Sequence, residues 1–120
     1  MKKGKLTPII AAALLVFTSS IACAGNYAVT VKMKGQALTG EFVYQADLTL
    51  SGALAGGGCN QTVTSIGPIT NPGSFWVNFA ATGKCKFSGA ANVQPQADSD
   101  QFSLYNNRYQ MLGTGTQVAN

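Results

Sequence analysis

The chain has 120 residues, 46% hydrophobic and only 10% charged, with eight Lys or Arg against four Asp or Glu, three cysteines and no histidine. A length of this order supports one domain. Without histidine there is no Ser-His-Asp or Cys-His nucleophile arrangement, no imidazole metal ligand and no zinc-protease motif.

The first predicted element is a targeting segment. Lys2, Lys3 and Lys5 precede an unbroken apolar run from Ile9 to Phe17, followed by small and polar residues, the three-part layout of a secretory signal peptide. The run is well short of the ~20 apolar residues that span a bilayer, and no later stretch supplies a transmembrane segment in the mature chain. Ala22-Cys23-Ala24 fits the small-x-small pattern of signal peptidase, so residues 1–24 are read as the signal peptide of a bacterial, exported protein, periplasmic or extracellular (secreted). Ile21-Ala22-Cys23 also resembles the end of a lipobox, which would anchor the protein by a lipid on Cys23. Ser20 stands where a lipobox usually carries Leu, and the complete small-x-small pattern is preferred.

Residues 25–120 then form a single β-rich domain. Lys32, Lys34, Lys84, Lys86 and Arg108 stand against Glu41, Asp47, Asp98 and Asp100, a balance of +1 that assigns most of the basicity to the leader. Cations read as scattered do not make the basic stripe needed to neutralise phosphates, so nucleic acid and anionic membranes are discounted as partners.

Tyr27, Val29, Val31 and Met33 alternate with Ala28, Thr30, Lys32 and Lys34; Phe42, Tyr44, Ala46, Leu48 and Leu50 alternate with Glu41, Val43, Gln45, Asp47 and Thr49. Each run predicts a strand with one buried face. Residues 35–40 suit their hairpin connector, with Met33 opposite Phe42 and Lys34 opposite Glu41. Residues 52–59 read as a glycine-rich connector, NQTVTSI as a strand and GPITNPG as a turn. Phe75, Val77 and Phe79 alternate with Ser74, Trp76 and Asn78, and KCKFS continues as a strand beyond Gly83. Residues 89–100 read as a polar loop. QFSLYNNRYQML reads as a hairpin turning at Asn106-Asn107, with Phe102 and Leu104 opposite Met111 and Tyr109. The tail 113–120 reads as loose, with Val118 able to extend a strand.

About seven strands and no amphipathic helix predict an all-β fold, a small antiparallel β-sandwich or barrel. Cys59 and Cys85 are the expected disulfide, because paired thiols persist in oxidising compartments and no C-x-x-C spacing exists. In a flat meander they would lie on next-nearest strands, ~10 Å apart, beyond the ~7 Å that a disulfide tolerates. Their strands therefore pair directly, meet at a corner or face each other. The expected core is Tyr27, Val29, Val31, Phe42, Tyr44, Leu48, Val63, Phe75, Val77, Phe79, Phe87, Leu104 and Met111.

Reactive constellations do not emerge. Glu41 and Asp47 lie six residues apart on one strand face, roughly 20 Å along an extended chain and too far for a concerted pair. Asp98 and Asp100 lack the further acids, glycine and terminal glutamate of a calcium loop. Gly56 to Gly58 lacks the Gly-Lys-Ser/Thr ending of a phosphate loop, and Asn60-Gln61-Thr62 matches a glycosylation sequon by chance. No catalytic residue, metal site or cofactor is assigned.

Trp76 and Asn78 are the ligand-binding candidates. They face outward if Phe75, Val77 and Phe79 face the core, and an exposed tryptophan beside an amide can stack and orient a sugar ring. The competing role for Trp76 is structural, because large aromatics are mostly buried. The sequence thus predicts an exported, non-catalytic binding or structural module: a surface, fimbria-like or adhesin-like subunit with a protein or carbohydrate partner, or an oligomer. An exported protein inhibitor of an enzyme and a small His-independent hydrolase are the alternatives. An assembly subunit would expose a strand edge, whereas an enzyme would gather polar groups in a pocket.

Overall fold

The computed structural model describes residues 25–120. The predicted leader and the processing of Cys23 fall on residues 1–24, outside the described residues. β1 (Gly25–Met33) buries Tyr27, Val29, Val31 and Met33 and exposes the residues between them, because successive strand side chains point to opposite faces. β2 (Gln36–Tyr44), β3 (Leu50–Gly56), β4 (Cys59–Ser65), β5 (Phe75–Gly83), β6 (Gly89–Pro95), β7 (Gln101–Tyr105) and β8 (Met111–Ala119) follow. Each pairs antiparallel with the next, and β8 pairs with β1, closing an up-and-down barrel. The all-β expectation holds, the architecture is a barrel, and the strands number eight where the sequence suggested about seven. An eight-stranded barrel has an interior just wide enough for side chains to fill, and here inward apolar residues from every strand form one core.

Several registers differ from those expected. The first hairpin turns at Lys34-Gly35, where both φ values are positive, 53° and 79°, as in the tight turn that matches strand twist. Met33 therefore meets Gln36, and Phe42 meets Tyr27. Glu41 lies opposite Ala28, remote from Lys34. β2 ends at Tyr44 because Asp47 Oδ1 accepts hydrogen bonds from the Thr49 amide (3.1 Å) and hydroxyl (2.6 Å), closing a turn. Leu48 sits in that turn at φ 70°, half-buried, and Leu50 takes the core position.

The glycine-rich connector is largely β3, followed by a Gly57-Gly58 turn. β6 occupies most of the expected loop and sends Ala91 and Val93 inward. The expected loose tail is β8, the strand that closes the barrel. In the β7–β8 hairpin a register shift at Leu104/Tyr105 places Phe102 opposite Gly115 and Leu104 opposite Gly113. A bulge of this kind changes which residue points inward. Leu112 is consequently 6% exposed and Met111 55% exposed, so Met111 leaves the expected core.

Two glycines, Gly52 in the expected connector and Gly115 in this tail, explain why both segments looked unstructured. Phe42 is paired with Gly52, and Phe102 with Gly115. A Cβ on Gly52 would lie 2.6 Å from the Phe42 ring, and one on Gly115 would lie 2.5 Å from the Phe102 ring. Small inward residues thus make room for two large rings whose centroids are 6.4 Å apart, the small-against-large packing that fills a narrow barrel.

β4 and β5 pair directly, with Cys59 opposite Gly83, and Cys85 lies just beyond β5. The Cys59–Cys85 disulfide follows, with Cα atoms 4.7 Å apart. Beside it, Gln61 Nε2 donates to the Phe87 carbonyl (2.7 Å), and the half-buried Phe87 ring meets Phe79 edge-on at 5.9 Å. Phe87 is held against the core by a loop and not by the strand expected after Gly83.

Candidate functional site

The outer wall is made of small and polar residues: Thr30 and Thr39, Ala53 and Ala55, Asn60, Thr62 and Thr64, Ala80 and Thr82 are all exposed. Barrels that cross lipid turn an apolar band outward and polar residues inward, the opposite of this arrangement. Among the described residues no helix is long and apolar enough to cross a membrane.

Trp76 interrupts this wall. It points outward from β5 between the buried Phe75 and Val77, and it is half-buried. Asn92 of β6 lies opposite it, and Tyr105 of β7 lies opposite Asn92, so the three form one row across the sheet. Tyr109, 64% exposed, comes from the β7–β8 loop and meets Trp76 edge-on, with centroids 6.4 Å apart and planes at 65°. Asn106 Oδ1 holds that loop by accepting the amides of Arg108 (2.8 Å) and Gln110 (3.0 Å).

Asn92 is only 1% exposed although alternation points it outward. Its amide is satisfied: Nδ2 donates to the Phe75 carbonyl (3.4 Å), and Oδ1 accepts from Ser74 Oγ (3.2 Å) and Gln94 Nε2 (2.9 Å). Such a network fixes the strands beneath the aromatic row. Asn78 lies two residues beyond Trp76 on the same face and is exposed. Trp76 and Asn78 thus share the outer wall, and Tyr105 and Tyr109 join them where the sequence reading had made Tyr109 a hairpin partner of Phe102 and Leu104. The available signal was the Tyr pair flanking Asn106-Asn107.

Beside Trp76, the β4–β5 connection forms a cleft of about 170 Å³ lined by Ile66, Ile69, Asn71, Ser74 and Trp76 among others, with no titratable side chain. The carboxylates lie elsewhere. Glu41 Oε2 accepts from Asn120 Nδ2 (2.6 Å). Asp47 sits in the β2–β3 turn and not on a strand beside Glu41; the Thr49 hydroxyl, then its amide, hold its carboxyl below the usual range. Asp98 and Asp100 flank Ser99 in the β6–β7 connection. Among the described residues no three of Cys, Asp and Glu gather as a metal site.

The cations, read as scattered, lie on several elements, but strand direction assigns those elements' ends to one mouth. Lys34, Lys84, Lys86 and Arg108 lie in connections that follow β1, β5 and β7, and Lys32 lies next to the first of these. In an up-and-down barrel those connections share one mouth. Glu41, Asp47, Asp98 and Asp100 belong to the half of the barrel nearer the other mouth. The chain matches no protein-family model, no curated protein and no solved structure.

Proposed function

We propose that this chain is an exported, non-catalytic binding module whose contact face is the outer wall around Trp76, and that the face holds a carbohydrate ring. The carrying observation is the Trp76–Tyr109 pair, two partly or largely exposed rings set edge-on at 6.4 Å on a wall built mostly of small and polar residues. Aromatic rings present a large apolar surface with little conformational freedom to lose, and they dominate contact energies. The Asn78 amide alongside offers donors and an acceptor for hydroxyls.

Barrel closure argues for a face and against an edge. Every described strand has a partner on both sides, so assembly by strand addition finds only short unpaired stretches, such as the end of β5 beyond Phe79. The cleft beside Trp76 carries no group able to exchange a proton at neutral pH, which favours holding a ligand over transforming it. Export rests on the leader pattern and on the disulfide, with Gly25 as the expected mature start.

The test compares retention of wild type, Trp76→Ala and Tyr109→Ala on immobilised neutral and charged polysaccharides, with thermal melting alongside. A contact role predicts at least a tenfold loss of retention for Trp76→Ala with its melting temperature nearly unchanged. Unchanged retention, or turnover of a retained polysaccharide, would overturn the proposal.

A further inference from the structure

Strand direction decides where each charge goes. Successive strands run in opposite directions, so the connections after β1, β3, β5 and β7 open at one mouth, and those after β2, β4 and β6 open at the other. Lys34, Lys84, Lys86 and Arg108 occupy the first set, and Lys32 lies in the last turn of chain before it. Asp47, Asp98 and Asp100 occupy the second set, and the Glu41 carboxylate is held there by Asn120 near the chain's end. All nine side chains are exposed. A domain with a balance of only +1 therefore carries one mouth with all the cations and one with all the acids.

The cationic mouth is also braced. Gln36 Nε2 donates to the Lys84 carbonyl (2.9 Å), and its Oε1 accepts the Lys86 amide (3.2 Å), clasping the β5–β6 connection to the start of β2. The Lys84 amide donates to the Gly58 carbonyl (2.9 Å), and the Lys34 amide to the Leu112 carbonyl (3.2 Å). The Cys59–Cys85 disulfide lies in the same layer. These bonds use backbone groups of the lysines and leave their ammonium groups in solvent. Cations held on a rigid frame lose less freedom when they bind.

We propose that this mouth, together with the Trp76–Tyr109 face, binds a linear anionic polysaccharide. The choice of a saccharide rests on the reading of that face; the choice of an anionic one rests on the charge arrangement alone. Arg108 and Tyr109 are consecutive, so one chain lying across the β7–β8 loop meets a stacking surface and a guanidinium together. The remaining cations sit at the β1–β2 turn and on the β5–β6 connection, and do not converge on a pocket. That spacing suits a row of carboxylates or sulfates along a polymer and gives a lone small anion few partners. Trp76 stands at the start of β5 and Lys84 just past its end, so a polymer that meets both runs along the barrel wall. The disulfide favours an oxidising compartment.

The test titrates the disulfide-bonded chain beginning at Gly25 with a sulfated heparin decasaccharide, a neutral maltodextrin of equal length, a single-stranded DNA decamer and phosphatidylglycerol vesicles. Heparin should bind tightest, with log affinity falling against log salt at a slope of about −3 for four to five neutralised charges. Lys84→Gln/Lys86→Gln/Arg108→Gln should flatten that slope by about 2 and weaken binding at least tenfold without changing the melting temperature. Asp98→Asn/Asp100→Asn should bind as well as wild type or better. Heparin binding that is unaffected by the triple change overturns the inference, as does tighter binding of DNA or vesicles. If heparin and maltodextrin bind equally and both need Trp76, the anionic inference falls and the outer-wall reading stands. If Trp76→Ala keeps full heparin affinity while the triple variant loses it, the outer-wall reading falls and the cationic mouth stands.

Discussion

The two mouths of the barrel solve the same problem, returning the chain, by different means. At the cationic mouth two connections are two-residue turns, Lys34-Gly35 and Gly57-Gly58, all at positive φ, and the longer β5–β6 connection is tied by a disulfide and the Gln36 clasp. At the acid mouth none of the three connections is a two-residue turn, and local polar contacts shape them, such as the Asp47–Thr49 turn and the Asn71 Oδ1 acceptance of the Gly73 amide (2.9 Å). Both mouths also carry bonds between residues distant in sequence, such as Gln36 to the β5–β6 connection at one and Asn120 Nδ2 to Glu41 or the Ile69 amide to the Leu48 carbonyl at the other; the covalent Cys59–Cys85 link belongs to the cationic mouth. Bonds between distant residues resist opening of the barrel; local ones shape a loop.

The largest effect expected from breaking this contrast is loss of the disulfide. Its residues are 26 apart in sequence, and the loop-entropy relation gives about 3 kcal/mol for a loop of this length. Replacing both cysteines by alanine should lower the melting temperature by at least ~12 °C, using ~4–8 °C per kcal/mol for a domain of this size. Calorimetry of oxidised and double-alanine protein checks it. A change under 3 °C would mean that the strand pairing alone holds that mouth.

Between the mouths, Gly115→Val should be next in size. Its side chain would meet the Phe102 ring and the Thr30 carbonyl, 2.8 Å from an added Cβ, an overpacking that costs ~1–3 kcal/mol. Urea unfolding should show a lower midpoint with an unchanged slope. Gln36→Ala should follow at about 1 kcal/mol, because it removes two exposed hydrogen bonds spanning 48 and 50 residues. Hydrogen exchange would sharpen the comparison by showing faster exchange of the Lys84 and Lys86 amides with β1–β2 protection retained.

Asp47→Ala should have the smallest effect and a diagnostic pH dependence. Thr49 lowers the Asp47 carboxyl pKa in the folded state, so the turn contributes stability above the unfolded value and loses it as pH falls through the folded one. Wild type and Asp47→Ala should therefore differ slightly at pH 6 and converge in melting temperature as pH falls well below the ordinary Asp range. A gap that persists at low pH would assign the effect to backbone preference and not to the carboxylate.

How much of this was legible depends on whether the signal was local. In β1 and β5 large inward residues alternate strictly with more exposed ones from Tyr27 to Met33 and from Phe75 to Phe79, so alternation revealed both strands and, through Phe75 and Val77, the outward direction of Trp76. In β6 and β8 the code is muted. Inward Ala91 and Gly115 are small, and outward Asn92 is buried beneath aromatics from other strands, so both segments resembled loops. Asp47 had the reverse effect: evenly spaced apolar residues around it mimicked one long strand and hid a turn made by its side chain.

The sequence by itself determined an all-β chain, the pairing of the only two described cysteines, most of the core and the outward placement of Trp76 and Asn78, because each follows from a two-residue period or a count. Only the tertiary structure decided the closure of β8 on β1, the contact of Tyr109 with Trp76 and the gathering of cations from Lys32 to Arg108 at one mouth. Those facts depend on register and strand direction around a closed sheet, and a single shift such as that at Leu104/Tyr105 redirects every residue after it.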